Sequence, residues 1–119
     1  MPAIPLDSLV NRLGTVLELR EQQHALTASN LANADTPGYQ AKVMEFGDLL
    51  SQVVEGTAGA EPSAQVTELK ALPWSVNGNS VVAEREMARL QENSMMYGAL
   101  TRGLSRRLAV LKFAASDGR

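Results

Sequence analysis

The 119-residue sequence contains no cysteine, which excludes disulfides, thiolate metal sites and cysteine nucleophiles together. Aromatic residues make up only 4%, so a core must be built from Leu, Val, Ala and Met. No stretch approaches roughly 18 consecutive apolar residues, and no membrane-spanning segment is predicted. The net charge of -2 leaves no basic excess to displace counterions from phosphates, which argues against nucleic acid as the main partner.

The first residues, "MPAIPLDSLVNRLGTVLELR", lack the features of a secretory signal. A cationic start, an unbroken apolar stretch and a small-residue cleavage site are all missing. If the protein is exported, we therefore expect a route that removes no signal.

The chain opens with an amphipathic helix, predicted from about Leu6 to Ala34. Apolar residues recur there at three- and four-residue spacings: Leu6, Leu9, Val10, Leu13, Val16 and Leu17. The sequence Thr-Pro-Gly-Tyr (36–39) follows, and proline disfavours the helical conformation of the residue before it. Pro-Gly also suits the centre of a type II turn. The helix is therefore predicted to end near residues 33–35.

The middle of the chain has weaker signals. Residues 40–44 are predicted to be extended, and residues 45–55 to form a short helix. Residues 56–66 are small, polar and rich in helix breakers, which indicates a loop or linker. A short extended piece carrying Trp74 is expected within residues 67–79, where Asn77-Gly78 is a turn signal.

The last segment, from about Val82 to Ala115, has the strongest periodicity. Steps of four and three define a heptad seam: Ala83, Met87, Leu90, Ser94, Tyr97, Thr101, Leu104, Leu108, Leu111 and Ala115. Val82 stands where a capping residue is expected, so the cap is predicted to shift to Ser80 or Asn79.

These elements predict a mostly α fold in which two long terminal helices form an antiparallel, coiled-coil-like hairpin with an extended arm and loop between them. We divide the chain into residues 1–35, 36–80 and 81–119, which together form a single assembly domain. One helix pair buries only one stripe on each partner, and such a thin core opposes conformational entropy poorly. The chain is therefore expected to be completed by packing against other chains.

No catalytic, cofactor-binding or metal-ligating set is visible. His24 is the only histidine, and it has no companions at ligand spacing, so a surface or interface position is predicted. Glu84 and Glu86 are two apart and do not face each other on a helix; they are interpreted as helix-start charges. The arginines near the end of the last helix (Arg102, Arg106 and Arg107) fit a solvated helix end or an anionic groove. We predict no enzymatic activity, no cofactor and no small-molecule substrate.

Two asparagines, Asn30 and Asn33, interrupt the end of the first helix. Asn33 suits a helix end because its short side chain tolerates the left-handed conformation. Asn30 lies one turn earlier on the same face, where its amide would compete with the helix backbone. Because an amide offers both donors and acceptors, and buried amides fix helix register, we interpret this pair as an interface feature.

The stretch "SNLANADTPGYQAK" (29–42) resembles the signature near the N-terminus of bacterial flagellar axial proteins, the rod, hook and hook-associated proteins. The shared residues are Asn30, Leu31, Ala32, Asn33, Thr36, Pro37, Gly38, Tyr39 and Ala41. The short length, "EFGDLL" after the motif and "NGNSVVAEREMARLQENSMMYGALTRGLSRRLAVLK" near the end resemble the short proximal rod proteins of this family.

The resemblance implies a structural subunit of the proximal rod, the drive shaft that carries motor torque to hook and filament. It implies export by the flagellar type III apparatus without cleavage, a periplasmic position, and self-assembly through the terminal helices. The implied neighbours are copies of the chain, rod proteins of the FlgC, FlgF and FlgG types, the adaptor FliE, the membrane ring protein FliF and the export gate. Two alternatives stay open: the other short rod protein, of FlgC type, and a soluble coiled-coil adaptor or secretion chaperone.

The residues expected to carry assembly combine the motif with the seam of the last helix. They are Asn30, Leu31, Ala32, Asn33, Thr36, Pro37, Gly38 and Tyr39, and Met87, Leu90, Tyr97, Leu104, Leu108 and Leu111.

Overall fold

Two long helices from opposite ends of the chain lie side by side in the computed structural model, which describes residues 6–57 and 65–116. The elements in chain order are α1 (Leu6–Ala32), β1 (Lys42–Glu45), α2 (Gly47–Glu55), β2 (Gln65–Glu68) and α3 (Ala83–Ala115). The molecule is elongated, with extents of 66 × 26 × 19 Å. In the described residues, no helix is apolar and long enough to cross a membrane.

The α1–α3 pair is antiparallel. Asn30, near the end of α1, contacts Glu86 at the start of α3, whereas Arg20, further back in α1, contacts Asn93. Leu100, still later in α3, packs on the core beneath the first half of α1. The predicted fold class, a helical hairpin with an arm between its two long helices, is confirmed.

The apolar core is small and lies where α2 packs across the hairpin. Val16, Leu19 and Val53 are buried, and Phe46, Leu49, Leu50 and Leu100 pack around them. The short helix α2 is the one predicted within residues 45–55. It ends where Gly56 takes φ +78, with the Thr57 N–H donating to the Gln52 carbonyl (2.9 Å) and the Gly56 N–H to the Val53 carbonyl (3.2 Å), a Schellman motif.

The arm between the long helices pairs with a strand that sequence reasoning missed. β1 and β2 are antiparallel, in the register Lys42↔Glu68 to Glu45↔Gln65. β1 confirms the extended segment predicted over residues 40–44, but β2 begins inside the stretch predicted as a loop (56–66), of which residues 58–64 lie outside the described range. The extended piece expected around Trp74 was wrong, because Trp74 lies in a turn and is 75% exposed.

The start of α3 also differs from expectation. The helix begins at Ala83, directly after an extended Val82 that makes no side-chain capping bond. Ser80 and Asn79 were expected to cap it and do not. The Ser80 hydroxyl accepts instead from the Ala41 N–H (2.7 Å), and the Asn79 side chain contacts the end of α1.

The face of α3 that packs against α1 does not match the predicted seam in full. At alternate positions of the seam, the residue directly before the predicted one faces inward. Ala83, Leu90, Leu104 and Leu111 are partly buried as predicted. Between them the inward positions are Glu86, Asn93 and Leu100, in place of the predicted Met87, Ser94 and Thr101. Both sets have heptad spacing, and hydrophobicity favours Met87. The polar pair is buried because α1 supplies hydrogen-bond partners for it.

Candidate assembly site

Asn30 stands at the centre of a polar cluster that joins α1, the arm and α3. Only 1% of its surface is exposed. Its Nδ2 donates to the Lys42 carbonyl (2.8 Å) and to Glu86 Oε2 (3.1 Å). Its Oδ1 accepts from the Lys42 N–H (2.9 Å) and the Tyr39 hydroxyl (3.3 Å). A side-chain amide has two donor hydrogens and two acceptor lone pairs, so the hydrogen-bonding capacity of Asn30 is fully used within the chain.

The turn after α1 has the geometry that Pro37-Gly38 predicts. The Tyr39 N–H donates to the Thr36 carbonyl (3.3 Å), and Gly38 takes φ +73, which a residue with a Cβ rarely adopts. The turn sends the chain back along α1, so that the Lys42 backbone reaches the Asn30 amide. The Gly38 N–H also donates to the Asn77 carbonyl (2.8 Å).

Asn33 serves the end of α1. Its Nδ2 donates to the Ser29 carbonyl (2.8 Å), and its Oδ1 accepts from the Thr36 hydroxyl (3.1 Å). The first bond adds a second donor to a carbonyl that already accepts from the Asn33 N–H, and the second holds the first residue of the turn. The two motif asparagines therefore act differently within the chain, because Asn30 reaches α3 and Asn33 stays local.

Asn79 was missed as a site residue, and it closes the cluster from the far end of the chain. Its Nδ2 lies within hydrogen-bond distance of three carbonyls at the end of α1: Asn33 (2.8 Å), Ala34 (3.0 Å) and Thr36 (2.7 Å). Its Oδ1 accepts from the Val81 N–H (2.7 Å). One buried side chain thus holds the turn that follows α1 and orients the backbone that leads into α3.

The segment around Asn79 runs beside the turn and is bonded to it. The Ser80 N–H donates to the Tyr39 carbonyl (3.0 Å), and the Ser80 hydroxyl accepts from the Ala41 N–H (2.7 Å). We call residues 30–42 together with residues 77–80 and Glu86 the corner. Within residues 77–80, the sequence predicted the Asn77-Gly78 turn and a helix cap at Ser80 or Asn79, but not the contact with the turn after α1.

Glu86 is a helix-start charge, as interpreted, but it is also buried, with 2% of its surface exposed. One carboxylate oxygen accepts from Asn30 and the other lies 3.1 Å from the guanidinium of Arg89, one turn later on the same helix. A buried carboxylate is tolerated only when paired and hydrogen-bonded, and both conditions are met here.

A second polar contact between the long helices lies two to three turns from the first. Asn93, 4% exposed, donates from Nδ2 to the Arg20 carbonyl (2.8 Å), and its Oδ1 lies 3.4 Å from an Arg20 guanidinium nitrogen. The guanidinium lies over the Phe46 ring, 4.7 Å from its centroid. Burial lowers the pKa of Arg20, and the charge of Glu92 partly opposes this. Asn93 falls seven residues after Glu86, and this polar heptad was the missed signal.

The structure brings the predicted motif residues together but leaves much of the predicted seam on the surface. Leu31 is partly buried, whereas Ala32, Thr36 and Pro37 are exposed. Among the seam residues, Met87 is 53% exposed, Tyr97 39% and Leu108 48%. His24 is exposed and lines a groove of about 340 Å³ with Tyr97. Whether these surfaces carry assembly stays a prediction.

The chemistry of the corner is structural. Its buried side chains, Asn30, Asn79 and Glu86, have their hydrogen-bond partners within the chain. Over residues 6–57 and 65–116 no group of His, Asp and Glu residues is arranged to hold a metal ion. What the arrangement can do is fix the direction in which the arm leaves α1 and the level at which α3 meets it.

Comparison with known sequences adds an independent observation. A family described as "Flagella basal body rod protein" matches residues 17–40, the second half of α1 and the turn. The chain is 34% identical to the flagellar basal body rod protein FlgB of Salmonella typhimurium, over 77% of this chain and 81% of that protein. It is 30% identical to FlgB of Yersinia enterocolitica, over 77% and 82%, and 24% identical to FlgB of Bacillus subtilis, over 92% and 95%.

Proposed function

The chain belongs to the FlgB family of flagellar basal body rod proteins and is a structural subunit of the flagellar rod, and we propose that it forms the proximal part of that rod. In this position it is part of the drive shaft that transmits motor torque to the hook and filament. Its role is structural and not catalytic, as the names of its relatives suggest.

The observation that carries this proposal is the hydrogen bonding of the corner, where the Asn30 amide uses all of its donors and acceptors. A shaft under torque fails by slipping at its contacts, and apolar contacts tolerate sliding because they lack direction. The Asn30 amide, in contrast, holds α1, the arm and α3 through four directional bonds at once. We propose that the motif Asn30 to Tyr39 sets the angle of the arm, so that every subunit presents the same surface to its neighbours.

We propose that residues 1–35, 36–80 and 81–119 form one assembly domain. Its core is small, and exposed side chains of the domain add to the buried surface when they pack against neighbouring subunits. The exposed side chains of Met87, Tyr97 and Leu108 are available to neighbouring subunits. Asn30 and Asn33 then set axial register indirectly, through the shape of the corner, because the Asn30 amide has no bonding capacity left for another chain.

The finer cellular setting is also proposed. The chain is exported by the flagellar type III apparatus without cleavage and assembles in the periplasmic part of the basal body. Its proposed neighbours are further copies of itself, rod proteins of FlgC, FlgF and FlgG type, the adaptor FliE, the membrane ring protein FliF and the export gate. Family membership and the resemblance of the motif support this proposed setting.

The test is loss and restoration of the rod in the source bacterium. Deletion of the gene is expected to abolish swimming and to leave basal bodies with membrane rings but without rods in electron micrographs. The wild-type gene should restore both. A variant carrying Asn30→Leu and Asn33→Leu should be soluble and exported and should not restore rods, whereas Asn11→Leu, an exposed asparagine of α1, should restore them. Normal rods in the deletion strain would contradict the proposed function, and normal motility of the double variant would contradict the role of the motif.

A further inference from the structure

An open apolar groove runs along one side of the hairpin, opposite the groove that His24 lines. Its volume is about 370 Å³, and its walls include Leu13, Val16 and Arg20 of α1 and Met96, Leu100 and Gly103 of α3. We call it the α1–α3 groove. Among the described residues that line it, Arg20 is the only charged one and all the others are apolar.

The α1–α3 groove has two different ends. Because the helices are antiparallel, Arg20 and Met96 lie at one end, and Leu13 and Gly103 at the other. The distance between the ends is seven residues on either helix, about 10 Å or two turns. A Cβ placed on Gly103 would meet nothing within 4 Å, so the Gly103 end has room for an incoming side chain.

These features define the partner that the groove accepts. An amphipathic helix with apolar side chains spaced over two turns would fill it, as in other helix-in-groove contacts. The partner must also bring an acceptor to the Arg20 end. In the described residues the Arg20 guanidinium makes only long hydrogen bonds, to the Gln23 and Asn93 side chains (3.4 Å each), and no carboxylate lies within salt-bridge distance of it.

One exposed stripe of this chain has the required pattern. Glu84, Met87, Gln91 and Met95 project from α3 within an arc of about 80°, and Met87 and Met95 are 53% and 74% exposed. The two methionines are eight residues apart, about 12 Å along the helix, with the carboxylate of Glu84 one turn before the first. We call these four residues the methionine stripe.

We propose that the methionine stripe of one copy docks into the α1–α3 groove of the next copy, with Glu84 against Arg20 and Met95 at the Gly103 end. This deepens the proposed function, since it names the contact by which rod subunits meet, and it rests on that function. The other apolar end of α3 fits less well. Leu108, Val110 and Phe113 are exposed there, but Arg106, Arg107 and Lys112 would bring like charge to Arg20.

The docking direction has a geometric consequence. With Glu84 of one copy beside Arg20 of the next, which contacts Asn93, the two α3 helices run parallel and are offset by about nine residues, or roughly 14 Å. The stripe and the groove are different surfaces of the same molecule, so each copy uses one and offers the other. Such a heterologous contact does not close on itself in pairs; it joins successive copies into a ring or an open helical polymer.

Paired cysteines test the contact directly, because the natural chain has none. A variant carrying Met95→Cys and Gly103→Cys replaces the chromosomal gene, and basal bodies are isolated under oxidising conditions. The two cysteines lie about 12 Å apart in one helix and cannot bond within a chain. A ladder of dimers, trimers and longer species on a non-reducing gel is expected, and it should collapse on reduction.

The matched control carries Met95→Cys with Gly14→Cys. Gly14 also has open space at its Cβ position but lies on α1 away from the groove, so no ladder is expected. Dimers without longer species would indicate a two-fold contact and overturn the proposal. If the gel shows monomers alone and the cells swim, the docking contact is also overturned. If the chain is nevertheless present in the basal bodies of those cells, its proposed function as a rod subunit still stands.

A second variant covers the case in which the cysteines disturb assembly. Gly103→Leu should fill the groove without a clash, so the purified protein should unfold at a temperature no lower than wild type. In cells it should abolish swimming, whereas Gly14→Leu should swim normally. Normal swimming of the Gly103→Leu strain, or equal loss in both strains, contradicts the docking site.

Discussion

Replacing Asn30 by aspartate keeps the shape of the side chain but puts a second acceptor oxygen in place of the donor NH₂ group. Asn30→Asp loses the donors to the Lys42 carbonyl and to Glu86, and it places a second carboxylate about where the amide nitrogen lies, 3.1 Å from Glu86 Oε2. Two unit charges at that distance repel by about 5 kcal/mol at an effective dielectric constant of about 20. Because both groups are almost fully buried, water relieves little of this repulsion.

The cost has an upper limit set by proton binding. The variant escapes repulsion by sharing one proton between the carboxylates, which restores a hydrogen bond. From an unfolded aspartate with a pKa of about 3.9, taking up that proton at about pH 7 costs roughly 4 kcal/mol. The lost bond to the Lys42 carbonyl adds about 1 kcal/mol. We expect a loss in unfolding free energy of about 4–5 kcal/mol at neutral pH.

The sign of the pH dependence follows from the proton count. The folded variant binds one more proton than its unfolded chain above about pH 4, so its stability falls as pH rises, by about 1.4 kcal/mol per pH unit. Near pH 4 the deficit against wild type should shrink to about 1 kcal/mol. Urea denaturation of purified wild type and variant, followed by circular dichroism across this pH range, measures both quantities.

Asn33→Asp is the matched control. Its amide donates only to the Ser29 carbonyl, and neither of its hydrogen bonds involves a carboxylate. A loss of about 1–2 kcal/mol is expected, from one hydrogen bond and an unfavourable charge at a helix C-terminus, with little change over the same pH range. If Asn30→Asp shows the same deficit at both ends of the range, the buried contact with Glu86 is not as described.

Two further changes probe the Asn79 contacts and the core. Asn79→Ala removes about three hydrogen bonds from the turn after α1 and the entry to α3, and it should lower the unfolding free energy by about 2–3 kcal/mol in urea denaturation. The exposed Asn77→Ala should lower it by less than about 1 kcal/mol. Equal losses would show that the Asn79 contacts contribute nothing. Leu19→Ala, at a side chain 1% exposed, should cost about 2–5 kcal/mol in thermal unfolding, and Leu108→Ala, 48% exposed, less than about 1 kcal/mol. A larger loss at Leu108 would mean that the isolated chain is packed differently.

The long helices and the turn could be predicted because their signals are local. Three- and four-residue spacing of apolar side chains indicates α1 and α3, and Pro37-Gly38, a few residues further along the chain, indicates where α1 ends. β2 could not be found this way. Its pairing with β1 joins segments separated in the chain by α2 and residues 56–64, and only tertiary packing makes residues 65–68 extended.

The polar residues of the site show a second limit. Hydrophobicity places Met87 inside the seam and Glu86 outside, because an unpaired buried carboxylate is costly. The structure reverses the two, since Asn30 and Arg89 satisfy Glu86. Asn93 is buried for the same reason, through Arg20. Whether such a polar residue is buried depends on a hydrogen-bond partner on another helix, and the periodicity of one segment does not show that partner.

The contact between Asn79 and the turn after α1 has a consequence for the order in which the molecule acquires its shape. The carbonyls at Asn33, Ala34 and Thr36 receive their donor from a residue more than forty positions later in the chain. A chain that is made N-terminus first therefore cannot complete this bend until Asn79 has been made, since the contact has a large sequence separation. Until then, the turn after α1 lacks the donors that fix its geometry.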